Sequence, residues 1–164
     1  MKRDKPIRIL QVLGALNIGG AENLVMNWYR NIDRTKVQFD FVVHTAVPSF
    51  YDDEIKKYGG HIFCAPRFNG LNLFSYFKFW VNFFKEHSEY KIIHGHVRST
   101  AAIYLLIANH FKLITISHSH STSSGKGFSA IVKSGLQLPI RWIANFYFAP
   151  SLEAGRWLFG KKKS

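Results

Sequence analysis

The sequence predicts an α/β domain, Rossmann-like and three-layered, around a mainly parallel sheet. Three observations point there. Short apolar runs recur at regular intervals along the 164 residues. Helical patterns fill the gaps between them. Most of the runs are apolar throughout rather than alternating, as strands covered on both faces require. The length suits one such domain, so residues 1–164 are expected to form a single unit.

Strands are predicted at Ile7 to Leu13, Phe39 to His44, His61 to Cys64, Lys91 to His94, Leu113 to Ser117 and Phe146 to Ala149. The first helix should begin near Ala21 and turn Leu24, Val25, Trp28 and Tyr29 inward, because these four lie at helical spacing. Further helices are expected at Tyr51 to Tyr58, Leu71 to His87, Ser99 to His110, Phe128 to Asn145 and Leu152 to Phe159, the last capped by Ser151. Ser99 or Thr100 is expected to cap the helix that they precede. The stretch from Ser117 to Lys126 is a polar loop rich in Ser and His.

Twenty-two Lys and Arg against ten Asp and Glu give a formal charge of +12, which favours partners that carry phosphate. Nucleic acid is disfavoured as the partner, because no helix-turn-helix, zinc-finger or RNP pattern accompanies the charge. The charged N-terminus runs directly into a short strand and does not read as a secretory signal. No stretch reads as a membrane span. Cys64, alone in the chain, is expected to be a small core hydrophobe in a reducing compartment, and a cytoplasmic location follows from that reading.

Three segments at predicted strand ends could carry chemistry. Gly14 to Glu22 joins the first strand to the first helix and contains Asn17, Gly19 and Gly20. Glycines there serve either a tight turn or the close approach of a phosphate to the helix N-terminus; the spacing is neither a dinucleotide fingerprint nor a Walker loop. His94-Gly95-His96 ends the fourth strand and is followed by Arg98, whose planar cation suits phosphate. His96 is the better placed of the pair to meet a ligand, while His94 is expected to be a satisfied buried residue. His118 and His120 follow the fifth strand on the same sheet edge. Zinc is disfavoured as the reason for these histidines, because no Asp, Glu or Cys accompanies them, so no metal or cofactor is expected.

The segment Leu71 to Lys85, wound as a helix, confines Ser75, Lys78, Asn82 and Lys85 to a narrow polar stripe and leaves aromatics around most of its circumference. Phe74, Phe77, Lys78, Trp80 and Lys85 are candidates for contact with an anionic membrane surface. A neighbouring helix or a second domain would cover the same surplus equally well.

Taken in order, Ile9 to Leu13, Gly19 to Glu22, Lys91 to His96, Ile116 to His120 and Phe148 to Gly155 resemble the N-terminal domain of retaining GT-B glycosyltransferases of family 4, notably bacterial enzymes of capsular, exopolysaccharide and lipopolysaccharide synthesis. The resemblance spans nearly the whole chain. It implies an acceptor-side domain that shares a nucleotide sugar with a C-terminal donor-binding domain, for which no counterpart is expected in these residues. It further implies that Gly19 and Gly20 approach the donor diphosphate and that His96 approaches the transferred sugar as the catalytic residue. Asn17, Arg98, His118 and His120 would line the cleft on the acceptor side. The nucleotide sugar would be a substrate rather than a cofactor, the acceptor a glycan or polyprenyl-linked glycan, and the location cytoplasmic, peripheral to the cell membrane. The isolated chain is then expected to be inactive. The alternative is a stand-alone module that binds a phosphorylated ligand or anionic lipid without catalysis.

Overall fold

A computed structural model of the chain describes residues 5–97, 99–120 and 138–160. The strands are β1 (Ile7–Val12), β2 (Val37–Val43), β3 (Ile62–Cys64), β4 (Ile92–Gly95), β5 (Ile114–His118) and β6 (Phe146–Phe148). They form one sheet in the order β3-β2-β1-β4-β5-β6, and every neighbouring pair is parallel. The helices are α1 (Gly20–Asn31), α2 (Asp52–Lys57), α3 (Leu73–Glu86), α4 (Ala101–His110), α5 (Ile140–Ile143) and α6 (Leu152–Phe159). Each predicted strand is present, and the fold is the Rossmann-like one expected.

Alternate residues of the central strands feed two separate cores. On one face Leu13, Phe39, Phe41 and Val43 pack with Val25, Met26 and Tyr29 of α1 and Ile55 of α2. On the other, Leu10, Val12, Val42 and Ile93 pack with Tyr76, Trp80 and Phe83 of α3, Tyr104 and Leu105 of α4, and Ile140 of α5. Trp80, Tyr76, Tyr104 and Tyr29 are among the largest fully buried side chains, so aromatic burial dominates the packing of both layers.

Boundaries differ from expectation where side chains intervene. The helix expected to run to Asn145 stops at Ile143, and its expected residues 128–137 lie outside the described residues. Asn145 is taken by the sheet instead: its Oδ1 accepts from Thr115 N at 2.8 Å and its N donates to Thr115 O at 2.9 Å. Ser151 caps α6 as expected, accepting from Ala154 N at 3.2 Å. Thr100 occupies the N-cap of α4 but makes no side-chain cap there, because its hydroxyl accepts from Tyr76 at 3.0 Å. Cys64 is exposed at the end of the edge strand β3, and so is not the core hydrophobe expected.

The amino ends of four strands are tied together by one carboxylate. Asp40 of β2 is fully buried. It accepts two hydrogen bonds from the Arg8 guanidinium of β1, one from Tyr90 Oη at 2.8 Å just before β4, and one from His61 N at 2.7 Å just before β3. Burial alone would raise the Asp40 pKa, but Arg8, the His61 N–H and the Tyr90 hydroxyl outweigh it and hold the carboxyl below its usual range. A carboxyl depressed in this way stabilises the fold above its unfolded pKa and loses that contribution as pH falls through its folded one. Removing Arg8 would leave a buried charge without its partner. Arg8→Ala is therefore expected to cost about 3 kcal/mol at pH 7 and to move acid unfolding to higher pH, read by urea denaturation and by a circular-dichroism pH titration.

Candidate functional site

The strand order reverses direction at β1 and β4, so the β1–α1 and β4–α4 loops leave the carboxyl ends of adjacent strands towards opposite faces, the place where open α/β sheets accommodate ligands. The Gly19-Gly20 step stands at the start of α1. Gly19 is the N-cap of α1 with φ −161° and ψ 171°, extended backbone that any residue adopts, and no side chain caps the helix. A Cβ on Gly14 or Gly20 would meet nothing within 4 Å, and one on Gly19 would meet only the Glu22 carboxylate, at 2.3 Å. Nothing inside the described chain therefore demands glycine at Gly20. Among the described residues the Glu22 carboxylate is what stands against Gly19, and an anion approaching the helix N-terminus would face it as its competitor.

Asn17, expected in the cleft, is exposed, and its Oδ1 accepts from Phe50 N at 3.1 Å. Tyr51 N donates to Leu16 O at 2.9 Å beside it. Asn17 thus fastens the β1–α1 loop to the segment entering α2.

Four histidines and one glutamine gather at the carboxyl ends of β1, β4 and β5. His94 and His118 face α1, where the Trp28 ring stacks at 5.9 Å from each. His94 lies 5.4 Å from His118 with the planes 9° apart, and 4.2 Å from His96. His118 lies 4.2 Å from His120, also stacked. His96 is hydrogen-bonded at both nitrogens: Nδ1 to His120 Nε2 at 2.8 Å and Nε2 to Gln11 Oε1 at 2.9 Å. His94, His96 and His118 are all buried, whereas His120 is partly exposed.

His94 departs from expectation. It is buried, but its Nε2 has no hydrogen-bond partner, and neither has Nδ1 of His118. Burial, followed by the nearby His118 and His120, lowers the His94 pKa to about 3. Burial and His120 lower His118 to about 4, and burial puts His96 well below the ordinary value. These rings are held neutral at physiological pH.

The backbone that presents His96 is fixed from beneath. A Cβ on Gly95 would fall 2.3 Å from Tyr104 Oη and within 3 Å of its ring, so the fully buried tyrosine requires glycine there. The Tyr104 hydroxyl donates to Val97 O at 2.9 Å, holding the start of the β4–α4 loop. Gln11, Trp28 and Tyr104 were absent from the predicted site. Gln11 alone had a readable signal, a polar residue inside the apolar run of β1, and it is 1% exposed. Arg98 lies outside the described residues.

The α3 surface divides. Phe74, Phe77, Lys78 and Lys85 are exposed, with Leu71 and Leu73 beside the two phenylalanines. Trp80, expected among them, is fully buried and packs at 5.2 Å from the Tyr104 ring, because its helical position faces α4. Phe74 and Phe77 line an apolar groove with Ala102, Ile103 and Leu106 of α4 and Ile143 of α5. Among the described residues, no helix is long and apolar enough to cross a membrane.

Comparison with known proteins finds a sequence relative. The Bacillus subtilis (strain 168) protein named "Putative glycosyltransferase EpsF" is 37% identical over 160 residues, covering 94% of this chain and 41% of its own length. This chain therefore spans less than half of that relative. No protein-family model matches. Among solved structures, MurG of Acinetobacter baumannii superposes with a TM-score of 0.56 at 12% identity, covering 88% of this chain and 41% of that one. A "putative UDP-N-acetylglucosamine 2-epimerase" from Listeria monocytogenes gives 0.63 at 13% identity, with 98% and 44% covered. A further UDP-N-acetylglucosamine 2-epimerase gives 0.63 at 14%, with 98% and 46% covered. Identities this low establish the shared fold, and that fold carries more than one chemistry.

The neutral histidines give stability a defined pH dependence. Their folded pKa values lie below the unfolded value of about 6.5, so beneath that pH the unfolded chain binds protons that the folded chain refuses. Stability is expected to fall between about pH 6.5 and pH 4. Replacing His94 by Gln should make the slope near pH 5 shallower by about 1.4 kcal/mol per pH unit, measured by urea unfolding at several pH values; an unchanged slope would contradict the assignment.

Proposed function

We propose that this chain forms the acceptor-side half of a retaining glycosyltransferase that uses a nucleotide sugar. The observation that carries the reading is that the Gly19-Gly20 step and the buried His96 follow the carboxyl ends of β1 and β4, the adjacent strands between which the winding direction reverses. The 37% identity to the Bacillus subtilis protein supports a transferase, and the likeness to MurG is compatible with a GT-B arrangement.

In this reading the first N–H groups of α1 and the Gly19-Gly20 backbone hold the donor diphosphate, with Glu22 swinging aside to admit it. His96 meets the transferred sugar as a neutral ring. Gln11 and His120 hold both of its nitrogens in this structure: Gln11 Oε1 keeps the hydrogen on Nε2, so a sugar hydroxyl would donate to Nδ1 in place of His120. Arg98, His118 and His120 contribute to the acceptor side, and the second domain of the family supplies the rest of the nucleotide site. Retaining transfer would proceed with the acceptor attacking on the side from which the diphosphate leaves. The leaving diphosphate would take the acceptor's proton, and preorganised N–H groups would stabilise its charge.

The exposed patch of Leu71, Leu73, Phe74 and Phe77 with Lys78 and Lys85 suits the surface of an anionic membrane, where a polyprenyl-linked acceptor of surface-polysaccharide synthesis would be presented. A cytoplasmic enzyme peripheral to the inner face of the membrane follows. The same patch would equally serve a non-catalytic module that binds anionic lipid.

The test is sugar transfer across a panel of nucleotide sugars by this chain and by the longest product of its reading frame. Transfer is expected only in the longer protein, reduced at least about 100-fold by His96→Ala. Phe74→Ser with Phe77→Ser should lower transfer to lipid-linked acceptors in vesicles while sparing soluble ones. Vesicle binding without transfer in either protein would favour the module.

A further inference from the structure

The unpartnered nitrogens of His94 and His118 form, with His96, a feature that a sugar-binding site does not require. Each of the three offers a ring nitrogen, and these atoms all lie within 4.8 Å of one another. All three residues are buried, at 4%, 7% and 5% exposure. Two of them aim a buried nitrogen at no hydrogen-bond partner. An unmade hydrogen bond at a buried imidazole is unfavourable, and two of these three rings carry one.

We infer that His94, His96 and His118 form a binding site for one divalent transition-metal ion, of which zinc is the best match, with His120, hydrogen-bonded to His96, as a further imidazole beside them. Neutral imidazole is the ligand that such ions take up, and three histidines are a set found in zinc sites that keep an open position. The Gln11 contact supports the assignment. A ligating histidine usually donates its other N–H to a fixed oxygen, and Gln11 Oε1 at 2.9 Å from His96 Nε2 is placed to accept that hydrogen, which leaves Nδ1 for the ion. His96 Nδ1 already shares a hydrogen with His120 Nε2 at 2.8 Å. An ion entering between the rings would replace that shared hydrogen and bring His120 into the set. Tetrahedral coordination at about 2.1 Å needs nitrogens about 3.4 Å apart, so a group whose nitrogens lie within 4.8 Å of one another would close by at most about 1.4 Å. The absence of a carboxylate or thiolate, which disfavoured zinc in the sequence, is met by the number of imidazoles brought together. Hard ions such as Mg²⁺ are poorly served by an all-nitrogen set.

The ion and the sugar of the transferase reading would compete for His96 Nδ1, and the readout here is binding of the ion rather than transfer. Tag-free, chelator-treated chain is titrated with zinc chloride by calorimetry and, separately, with cobalt chloride by visible absorption. One equivalent of zinc should bind, and cobalt should give the intense visible bands of a four-coordinate site. His94→Gln and His118→Gln should each weaken zinc at least about tenfold, while His110→Gln, on α4 away from the cluster, should not. Weak six-coordinate cobalt bands in the unmodified chain would overturn the site even if a variant failed to fold. Absence of zinc binding, or zinc binding unchanged in the His94 and His118 variants, would overturn it equally.

Discussion

The reversal of winding direction between β1 and β4 is the constraint on which the remaining features depend. Parallel strands need crossovers, and right-handed crossovers that begin on either side of a central strand place their helices on opposite faces. In this chain α1 and α2 cover one face while α3, α4 and α5 cover the other. The two central loops then diverge from the carboxyl edge of the sheet. A glycine step and a histidine cluster stand at that edge, which is where an open α/β sheet accommodates a ligand.

The two ends of the sheet are built differently. At the amino end Asp40 accepts from Arg8, Tyr90 and His61, so a buried charge with several partners fixes four strands relative to one another. At the carboxyl end the polar groups are neutral rings, stacked on one another and on Trp28, with two nitrogens unpartnered. The first arrangement favours rigidity. The second leaves donors and lone pairs ready for a ligand while the Tyr104 ring beneath Gly95 fixes the backbone that carries them. Such unsatisfied polar groups are where functional demand is expected to override local stability.

Much of the fold was legible because its strands are short, apolar and separated by helical periodicity. Leu152–Phe159 appeared as read, with its Ser151 cap. The limits came from side chains acting across the sheet. Asn145 was read as the end of a helix but is bound by Thr115 from a neighbouring strand, which no local pattern encodes. Trp80 shared the aromatic character of Phe74 and Phe77, and only its packing against Tyr104 separates it from them. Cys64 looked like a core residue until β3 proved to be an edge strand. In the site, the positions of Gly19, Gly20, His96, His118 and His120 were evident from their places at strand ends. The stacking of four rings, the hydrogen bond to Gln11 and the unpartnered state of His94 depend on the register of β1, β4 and β5, which emerges only once the sheet is assembled.

The central claim is that a nucleoside diphosphate binds at the carboxyl ends of β1 and β4, by the Gly19-Gly20 step and His96. Titration of the isotope-labelled chain with a nucleoside diphosphate, followed through backbone amide resonances, tests it most directly. The largest shifts are expected at Gly14 to Glu22 and Gly95 to Val97, with residues of the α3 patch unmoved. Shifts confined to the α3 patch, or no shifts at millimolar ligand, would contradict the account.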